Sequence, residues 1–186
     1  MNFLTDEMEG NLTRWLRFLG YNTRYAKDYE SIYGSPVDDD ALIEQCFIEH
    51  RILITRDREM VNRFKKKYKK IIQENPDIYL KFDINPSLTP CILLNSTKFA
   101  ENMSAIFKKF NIRLNYDSKI ARCSKCNSNI EIIEDKKKFR EKIPDSVYQN
   151  IDEFWVCTNK DCNKIYWIGG HFKEIFNRLA EIKKYI

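Results

Sequence analysis

The sequence predicts an α/β fold with a mostly parallel sheet flanked by helices, followed by a small cysteine-rich module and a C-terminal helix. Strand-like and helix-like segments alternate between residues 2 and 110, as in domains built from parallel strands and crossover helices. Residues 51–55 contain a continuous β-branched apolar run, which is typical of a buried parallel strand. Four cysteines lie in the last third of the 186-residue chain, which is long enough for one medium domain and a small module.

Predicted strands and helices alternate through the first 110 residues. We predict strands at 2–5, 23–26, 51–55 and 91–94, and helices at 11–19, 41–48, 59–70 and 98–110. Gly20 provides the stop of the first helix, and the acids 38–40 suit the positive end of the second helix dipole. Residues 71–89 fit the alternation poorly, and we interpret them as a loop or insertion with one extra strand at 78–82. Near residue 120 the pattern changes to short strands at 130–133 and 154–156, and an amphipathic helix closes the chain. We therefore predict two domains, residues 1–118 and 119–186.

The four clustered cysteines form two pairs with the spacing of a structural zinc site. Cys123 and Cys126 make a C-x2-C turn, and Cys157 and Cys162 make a C-x4-C turn thirty residues later. Two such turns supply four thiolates to one Zn²⁺ ion, as in zinc ribbons. The alternative is two disulfides, which a reducing compartment disfavours. The remaining cysteines, 46 and 91, lie in apolar segments and are expected in the core.

Charge is distributed unevenly along the chain. Residues 1–60 have a net charge of −5 and residues 61–186 a net charge of +10. Clustered acids beside a basic remainder suit a protein that holds cations locally and binds a polyanion, although a solvated lysine-rich surface would give the same totals. The sequence has no signal-like start and no apolar run of about 20 residues, so we expect a soluble cytoplasmic protein that does not bind a membrane.

Acidic residues follow the predicted strands at the points where those strands end. Asp6 follows the first strand, Asp57 follows the buried strand, and Asp38, Asp39 and Asp40 begin a helix. Ligands of parallel α/β sheets bind beyond the carboxyl ends of the strands. Carboxylates converging there select Mg²⁺ or Mn²⁺, and such an ion activates water for attack on a phosphodiester. The alternative is that these aspartates only cap helices and turns.

Three sequence blocks resemble the Mut-seven C-terminal RNase domain family. Residues 6–21 match its D-x-M-x-G-x-L-x-R-W-L-R-x-L-G-Y signature, and residues 52–59 resemble its strand followed by T-R-D-R-E. Residues 154–157 and 165–171 are similar to its zinc-ribbon motifs. The resemblance covers nearly the whole chain in the same order. It implies a PIN-like nuclease domain fused to a zinc ribbon.

The resemblance also implies residue roles. Asp6 and Asp57 match two catalytic acids that hold Mg²⁺ or Mn²⁺, and Asp39 is the best match for the middle acid, with Asp38 and Asp40 as alternatives. The segment 68–90 is longer than the family pattern, so a fourth acid, Asp77 or Asp83, is left unassigned. Gly170 stands where the family tends to have serine.

Basic and aromatic residues near these motifs are candidates for contacting RNA. Arg14 and Arg17 flank Trp15 and are expected either to bind RNA phosphates or to form an ordinary solvated face. Arg56 and Arg58 flank Asp57 and are expected either to bind the substrate or to pair with the acids. Residues 136–140 are a further basic candidate. The aromatic residues of the ribbon are expected mainly in its core, although stacking on bases is the alternative; these are Trp155, Tyr166 and Trp167.

The function predicted from these features is a divalent-metal-dependent endoribonuclease acting on single-stranded RNA or RNA loops. Asp6, Asp39 and Asp57 would hold the ion, with water as the nucleophile. Because four thiolates already complete the zinc site, we expect His171 to make a structural hydrogen bond, and His50 only to end a helix. The alternative function is a catalytically silent RNA-binding or adaptor module with the same fold.

Overall fold

Two β-sheets organise the chain in the computed structural model, which describes residues 1–170 and 172–186. The strands are β1 (Asn2–Thr5), β2 (Asn22–Tyr25), β3 (Ile52–Thr55), β4 (Cys91–Leu93), β5 (Ile130–Ile132), β6 (Phe154–Cys157) and β7 (Ile165–Trp167). The helices are α1 (Gly10–Phe18), α2 (Glu30–Tyr33), α3 (Asp39–Ile48), α4 (Arg58–Glu74), α5 (Ile78–Phe82), α6 (Phe99–Phe110), α7 (Asp145–Asn150) and α8 (Phe172–Lys183). Short 3-10 turns lie at Glu7–Glu9, Ala26–Tyr29 and Lys136–Lys142. None of the helices in this described part has the length and apolar composition needed to cross a membrane.

The first sheet is entirely parallel and has the strand order β2-β1-β3-β4. Its central strands are apolar because helices cover them, and Phe3, Leu4 and the three apolar residues of β3 are fully buried. Since all four strands run the same way, their carboxyl ends meet at one edge. Thr5, Tyr25, Thr55 and Leu93 end the strands at that edge. The predicted α/β architecture with a parallel sheet is confirmed.

The first helix shows how local sequence sets this packing. Leu12 and Leu16 are spaced by four residues and are both buried against the sheet. Gly20 follows the helix with φ +92°, and a Cβ at that position would lie 2.9 Å from the Ile120 side chain. The predicted glycine stop is therefore required both by the left-handed backbone and by the close approach of the chain that leads into the ribbon.

The predicted strand at residues 78–82 is wrong, because this segment is helix α5. Ile78 and Phe82 are buried, whereas Leu80 between them is 64% exposed. Burial four residues apart is the helical pattern, and a two-residue alternation would have buried Leu80 as well. Part of the predicted loop is also helical, because α4 continues to Glu74.

The second sheet is antiparallel, with the order β5-β6-β7, and carries the cysteine turns. A separate apolar cluster beneath it includes Ile133, Ile143, Phe154 and Val156. Residues 136–150 between the cysteine pairs form a 3-10 turn and α7, two elements that the sequence pattern did not indicate. The predicted ribbon and its strands are otherwise present.

The closing helix packs back on the larger sheet, as predicted. Leu179 and Ile182 of α8 are buried in the core cluster of the first sheet, and the Ser104 hydroxyl on α6 donates to the Tyr185 carbonyl at 2.7 Å. By its packing, α8 thus belongs with the parallel sheet although it follows the ribbon in sequence. The division of the chain at residue 118 stays a prediction.

Arg17 joins the first cysteine turn to the parallel sheet. Its side chain is buried, and its guanidinium donates to the carbonyls of Thr23 (2.8 Å), Ser124 (3.2 Å) and Lys125 (3.0 Å) and to Asp28 (2.6 Å). Burial lowers the pKa of Arg17, and the adjacent Asp28 carboxylate opposes this shift. Four hydrogen bonds from one arginine therefore hold helix, sheet and ribbon together.

We expect Arg17→Met to lower the free energy of unfolding by about 3 kcal/mol, because it leaves Asp28 without its buried counter-charge and several carbonyls without donors. Urea unfolding followed by circular dichroism measures this change. Arg14→Met is the matched control, because Arg14 is exposed on the same helix, and we expect it to shift stability by about 0.5 kcal/mol or less. Equal stability of the two variants would contradict the structural role of Arg17.

Candidate active site and metal centre

The four clustered cysteines converge as a ligand set. Their sulfur atoms all lie within 4.8 Å of one another, with Cys123 Sγ 3.6 Å from Cys162 Sγ and Cys126 Sγ 3.3 Å from Cys157 Sγ. A tetrahedral ZnS4 centre with Zn–S bonds of about 2.3 Å places its sulfurs about 3.8 Å apart. All six cysteines of the chain are free thiols, so the disulfide alternative is not what the structure has. This cluster could hold a metal ion such as zinc.

Aromatic residues of the ribbon support this cluster. The Tyr166 hydroxyl lies 3.0 Å from Cys123 Sγ and accepts the Ser124 N–H at 3.0 Å. Burial raises the pKa of this phenol, and the adjacent Cys123 sulfur raises it further. Trp155 is buried, and Trp167 packs on Phe154. The expectation of a core position is therefore confirmed for Trp155, whereas Trp167 and Tyr166 are half-buried; the predicted burial of Cys46 and Cys91 is confirmed.

Asp6 lies at the carboxyl end of β1, where its backbone N–H donates to the Ile54 carbonyl of the neighbouring strand at 3.2 Å. Its Oδ1 accepts the Met8 N–H at 2.7 Å, which caps the 3-10 turn that follows. Its Oδ2 accepts the hydroxyl of Thr55, and the residue is only 9% exposed. The side chain is therefore fixed at the carboxyl edge by two hydrogen bonds.

Asp57 is linked to Asp6 by hydrogen bonds to the same residue, Thr55. The Asp57 N–H donates to Thr55 Oγ1 at 2.9 Å, while Asp57 Oδ1 accepts the Met60 N–H at 2.8 Å and caps α4. One hydroxyl at the end of β3 thus joins the Asp6 carboxylate to the backbone of Asp57. The sequence analysis did not identify Thr55 as a site residue. Its position at the end of a buried strand, directly before Arg56 and Asp57, could have indicated that its hydroxyl lies at the site.

The three consecutive acids before α3 differ in their roles. Asp38 caps the helix, accepting the N–H groups of Asp40 (2.8 Å) and Ala41 (3.4 Å). Asp39 Oδ2 accepts from Arg63 at 2.5 Å. Asp40 also pairs with Arg63, and its side chain is 71% exposed.

Electrostatics connect Asp39 to the carboxyl edge. Burial raises the pKa of Asp39, the Arg63 guanidinium opposes this rise, and repulsion from the carboxylates of Asp57 and Asp38 adds to it. Asp39 therefore lies within electrostatic reach of Asp57. The choice of Asp39, rather than Asp38 or Asp40, as the middle acid stays a prediction.

The three candidate acids do not form a ligand set as tight as that of the thiols. Among the described residues, the cysteines are the only group of three or more His, Cys, Asp or Glu side chains whose ligand atoms all lie within 4.8 Å of one another. Asp6 and Asp57 are both hydrogen-bonded caps, and Asp39 is paired with Arg63. The cap interpretation thus describes Asp6 and Asp57, whereas Asp39 is an ion-pair partner of Arg63; the placement of Asp6 and Asp57 at one edge is what a cation site also requires. Oxygen ligands of this kind fit Mg²⁺ or Mn²⁺.

Asp83, one of the two candidates for a fourth metal-binding acid, does not lie with the other acids. Its carboxylate binds the N-terminal amine of Met1 at 2.9 Å, and Met1 precedes β1, so Asp83 lies at the opposite, amino edge of the sheet. His50 lies at that edge too, because it follows α3 and precedes β3. The prediction for His171 falls outside the described residues.

The four candidate arginines have different surroundings. Arg14 and Arg58 are exposed, whereas Arg17 is buried, and neither phosphate binding nor an ordinary surface role fits it. Arg56 Nε donates to Glu9 at 2.5 Å, and its Nη1 donates to the Ser96 carbonyl at 3.2 Å. Glu9 is 4% exposed, a buried acid that sequence reasoning did not single out although it lies inside the first motif. It orients Arg56 beside Asp57.

Comparison with known proteins identifies a family over almost the whole chain. The family model described as Mut7-C RNAse domain matches residues 1–179 of 186. No curated protein and no solved structure matches the chain. The matched range includes the parallel sheet, all three candidate acids and both cysteine pairs.

Proposed function

The chain belongs to the Mut7-C RNAse domain family, and on that premise we propose that it is a metal-dependent endoribonuclease that cleaves single-stranded RNA or RNA loops. The family points to a nuclease. The observation that carries the proposal further is at Thr55, whose hydroxyl donates to the Asp6 carboxylate and accepts the backbone N–H of Asp57 at the carboxyl edge of the sheet. Parallel α/β sheets bind their ligands at this edge.

Asp6, Asp39 and Asp57 are the residues that would hold the cation. Thr55 orients the first of these carboxylates, and the capping bonds to Met8 and Met60 fix the directions of two aspartates. Mg²⁺ or Mn²⁺ supplies charge stabilisation of a phosphodiester and lowers the pKa of bound water. Each aspartate keeps one carboxylate oxygen that accepts no backbone capping bond.

The exposed arginines at this edge suit the polyanionic substrate. Arg58 is exposed next to Asp57, and Arg56 is held by Glu9 so that its remaining guanidinium nitrogen is available. Guanidinium groups bind phosphate oxygens in pairs of hydrogen bonds. We therefore assign these arginines to RNA contact, and we leave Arg17 out because its donors are used within the protein. The cysteine site, as a zinc centre, serves the structure.

The test is RNA cleavage by the purified, zinc-loaded protein. Labelled single-stranded and hairpin RNAs are incubated with Mn²⁺, with Mg²⁺ or without added divalent ion, and Asp57→Asn is assayed in parallel. We expect cleavage that depends on the ion and disappears in the variant. Ion-independent cleavage, or equal cleavage by both proteins, would contradict the proposal.

A second candidate function is an RNA-binding module without catalysis. The observation that favours it is that all three acids already have partners within the protein. Such a module would bind RNA with an affinity that falls as salt rises. It would lose little binding and no activity on Asp57→Asn, so the same assay separates the two functions.

A further inference from the structure

A groove of about 470 Å³ lies between α1 and the first cysteine turn. One wall comes from the parallel-sheet part of the chain and the other from the ribbon. Its principal lining residues are Arg14, Arg17, Tyr25, Ser124, Lys125 and Lys164. The groove therefore exists only because the ribbon is docked on α1.

The charged side chains that line this groove are all positive. Four of its lining residues are cationic and none is acidic. Arg14, Lys125 and Lys164 are exposed, and within residues 1–170 and 172–186 none of the three takes part in a salt bridge. Only Arg17 is neutralised, by Asp28. Three cations without counter-charges facing one groove attract an anion or a chain of anions.

Tyr25 connects the groove to the acidic edge. It ends β2 and lines the groove, and its hydroxyl donates to the Glu7 carbonyl at 2.6 Å, one residue after Asp6. Burial raises the pKa of this phenol. A Cβ on Gly10 would lie 3.1 Å from this hydroxyl, so a larger residue there would require the Tyr25 side chain to shift by a few tenths of an ångström.

The cysteine turns set the positions of the two ribbon lysines. Lys125 lies inside the C-x2-C turn, between Cys123 and Cys126, and its carbonyl is bound by Arg17. Lys164 follows Cys162 by two residues, and its ammonium group lies 5.2 Å from the centre of the Tyr166 ring. Both lysines are therefore carried by the cysteine turns rather than by a loose loop.

We propose that this groove is a docking track for the backbone of single-stranded RNA, on which Lys125 and Lys164 bind phosphates next to those at the acidic edge. The ribbon then contributes to substrate binding, with Arg14 completing the track on α1. The proposal rests on the proposed function for its substrate, but binding to the groove does not require cleavage. A single strand suits the groove because its flexible backbone follows a continuous positive wall.

The test is the affinity of a fluorescent single-stranded RNA for Lys125→Ala/Lys164→Ala, measured by anisotropy at several salt concentrations without added Mg²⁺ or Mn²⁺. Loss of two phosphate contacts reduces the salt slope by about 1.4, because each contact contributes about 0.7 in single strands. At 0.1 M salt this corresponds to a loss of affinity on the order of 25-fold. Zinc content and thermal unfolding, measured in parallel, show that the ribbon is intact.

The matched control is Lys142→Ala/Lys160→Ala, which removes the same charge from exposed ribbon lysines that lie outside the groove and outside the basic segment 136–140. We expect its affinity to change about twofold or less. Equal losses in the two double variants, or an unchanged salt slope in the first, would overturn the docking track. Failure of the proposed nuclease function looks different, since the wild-type protein would then bind RNA through the groove without cleaving it.

Discussion

Asp6→Asn is expected to lower the rate of divalent-dependent RNA cleavage about a thousandfold. Asp6 is buried at the end of β1, where its carboxylate contacts both the Met8 N–H and the Thr55 hydroxyl. A cation on such carboxylates supplies several kcal/mol of transition-state stabilisation, and a loss of about 4 kcal/mol corresponds to about three powers of ten in rate. The measurement is single-turnover cleavage of a labelled RNA in Mn²⁺.

The variant is nearly isosteric, and its amide oxygen still accepts the Met8 N–H, so we expect the fold to persist. Asp38→Asn is the matched control: Asp38 accepts backbone N–H groups at the start of α3, a role that an asparagine oxygen also fills. We expect its cleavage rate within about twofold of the wild type. A large loss in Asp38→Asn together with full activity of Asp6→Asn would contradict our assignment of the acids.

Loss of the cysteine site is expected to have the second large effect. In Cys126→Ser, one of four ligands is weakened, and structural zinc contributes on the order of 10 kcal/mol to the folding of small zinc modules. The first cysteine turn also holds the sheet, since the Asn127 side chain accepts the Thr23 N–H at 3.0 Å and Arg17 binds two of its carbonyls. We therefore expect ribbon unfolding, exposure of the edge strand β2 and a lower melting temperature of the remaining core.

Bound zinc per chain, together with hydrogen exchange of the β2 and β5–β7 amides, measures this effect. Cys46→Ala is the control, because Cys46 is fully buried in the parallel-sheet core and does not belong to the four-cysteine cluster. It is expected to lower stability while leaving zinc stoichiometry at one per chain. Unchanged zinc content in Cys126→Ser, or unchanged protection of β2, would show that the ribbon does not depend on the site in this way.

The sequence predicted those elements whose pattern is local. The buried strand β3 and the glycine after α1 were recognisable because each depends on a few neighbouring residues. The cysteine cluster was recognisable because the spacing of its two cysteine pairs is nearly sufficient by itself to predict a metal-binding site. Residues 78–82 were misjudged because a five-residue segment with four apolar or aromatic side chains fits both a strand and a helix, and only tertiary packing decides which of them are buried.

The site was predictable only in part. The positions of Asp6 and Asp57 followed from strand ends, but the hydroxyl of Thr55 that relates them depends on the register between β1 and β3. Arg17 resembled a surface arginine because its acceptors at Ser124 and Lys125 are more than a hundred residues away in sequence. The groove beside it was likewise invisible, since its two walls come from separate parts of the chain.

The most direct test of the central claim is Mn²⁺ binding to the zinc-loaded protein, followed by the electron paramagnetic resonance of free Mn²⁺. We predict saturable binding to the wild type, at least tenfold weaker binding to Asp57→Asn, and wild-type affinity for Asp38→Asn. This outcome would place the cation on the carboxyl edge of the parallel sheet. Equal Mn²⁺ affinity in the wild type and Asp57→Asn would contradict a cation site built on that edge.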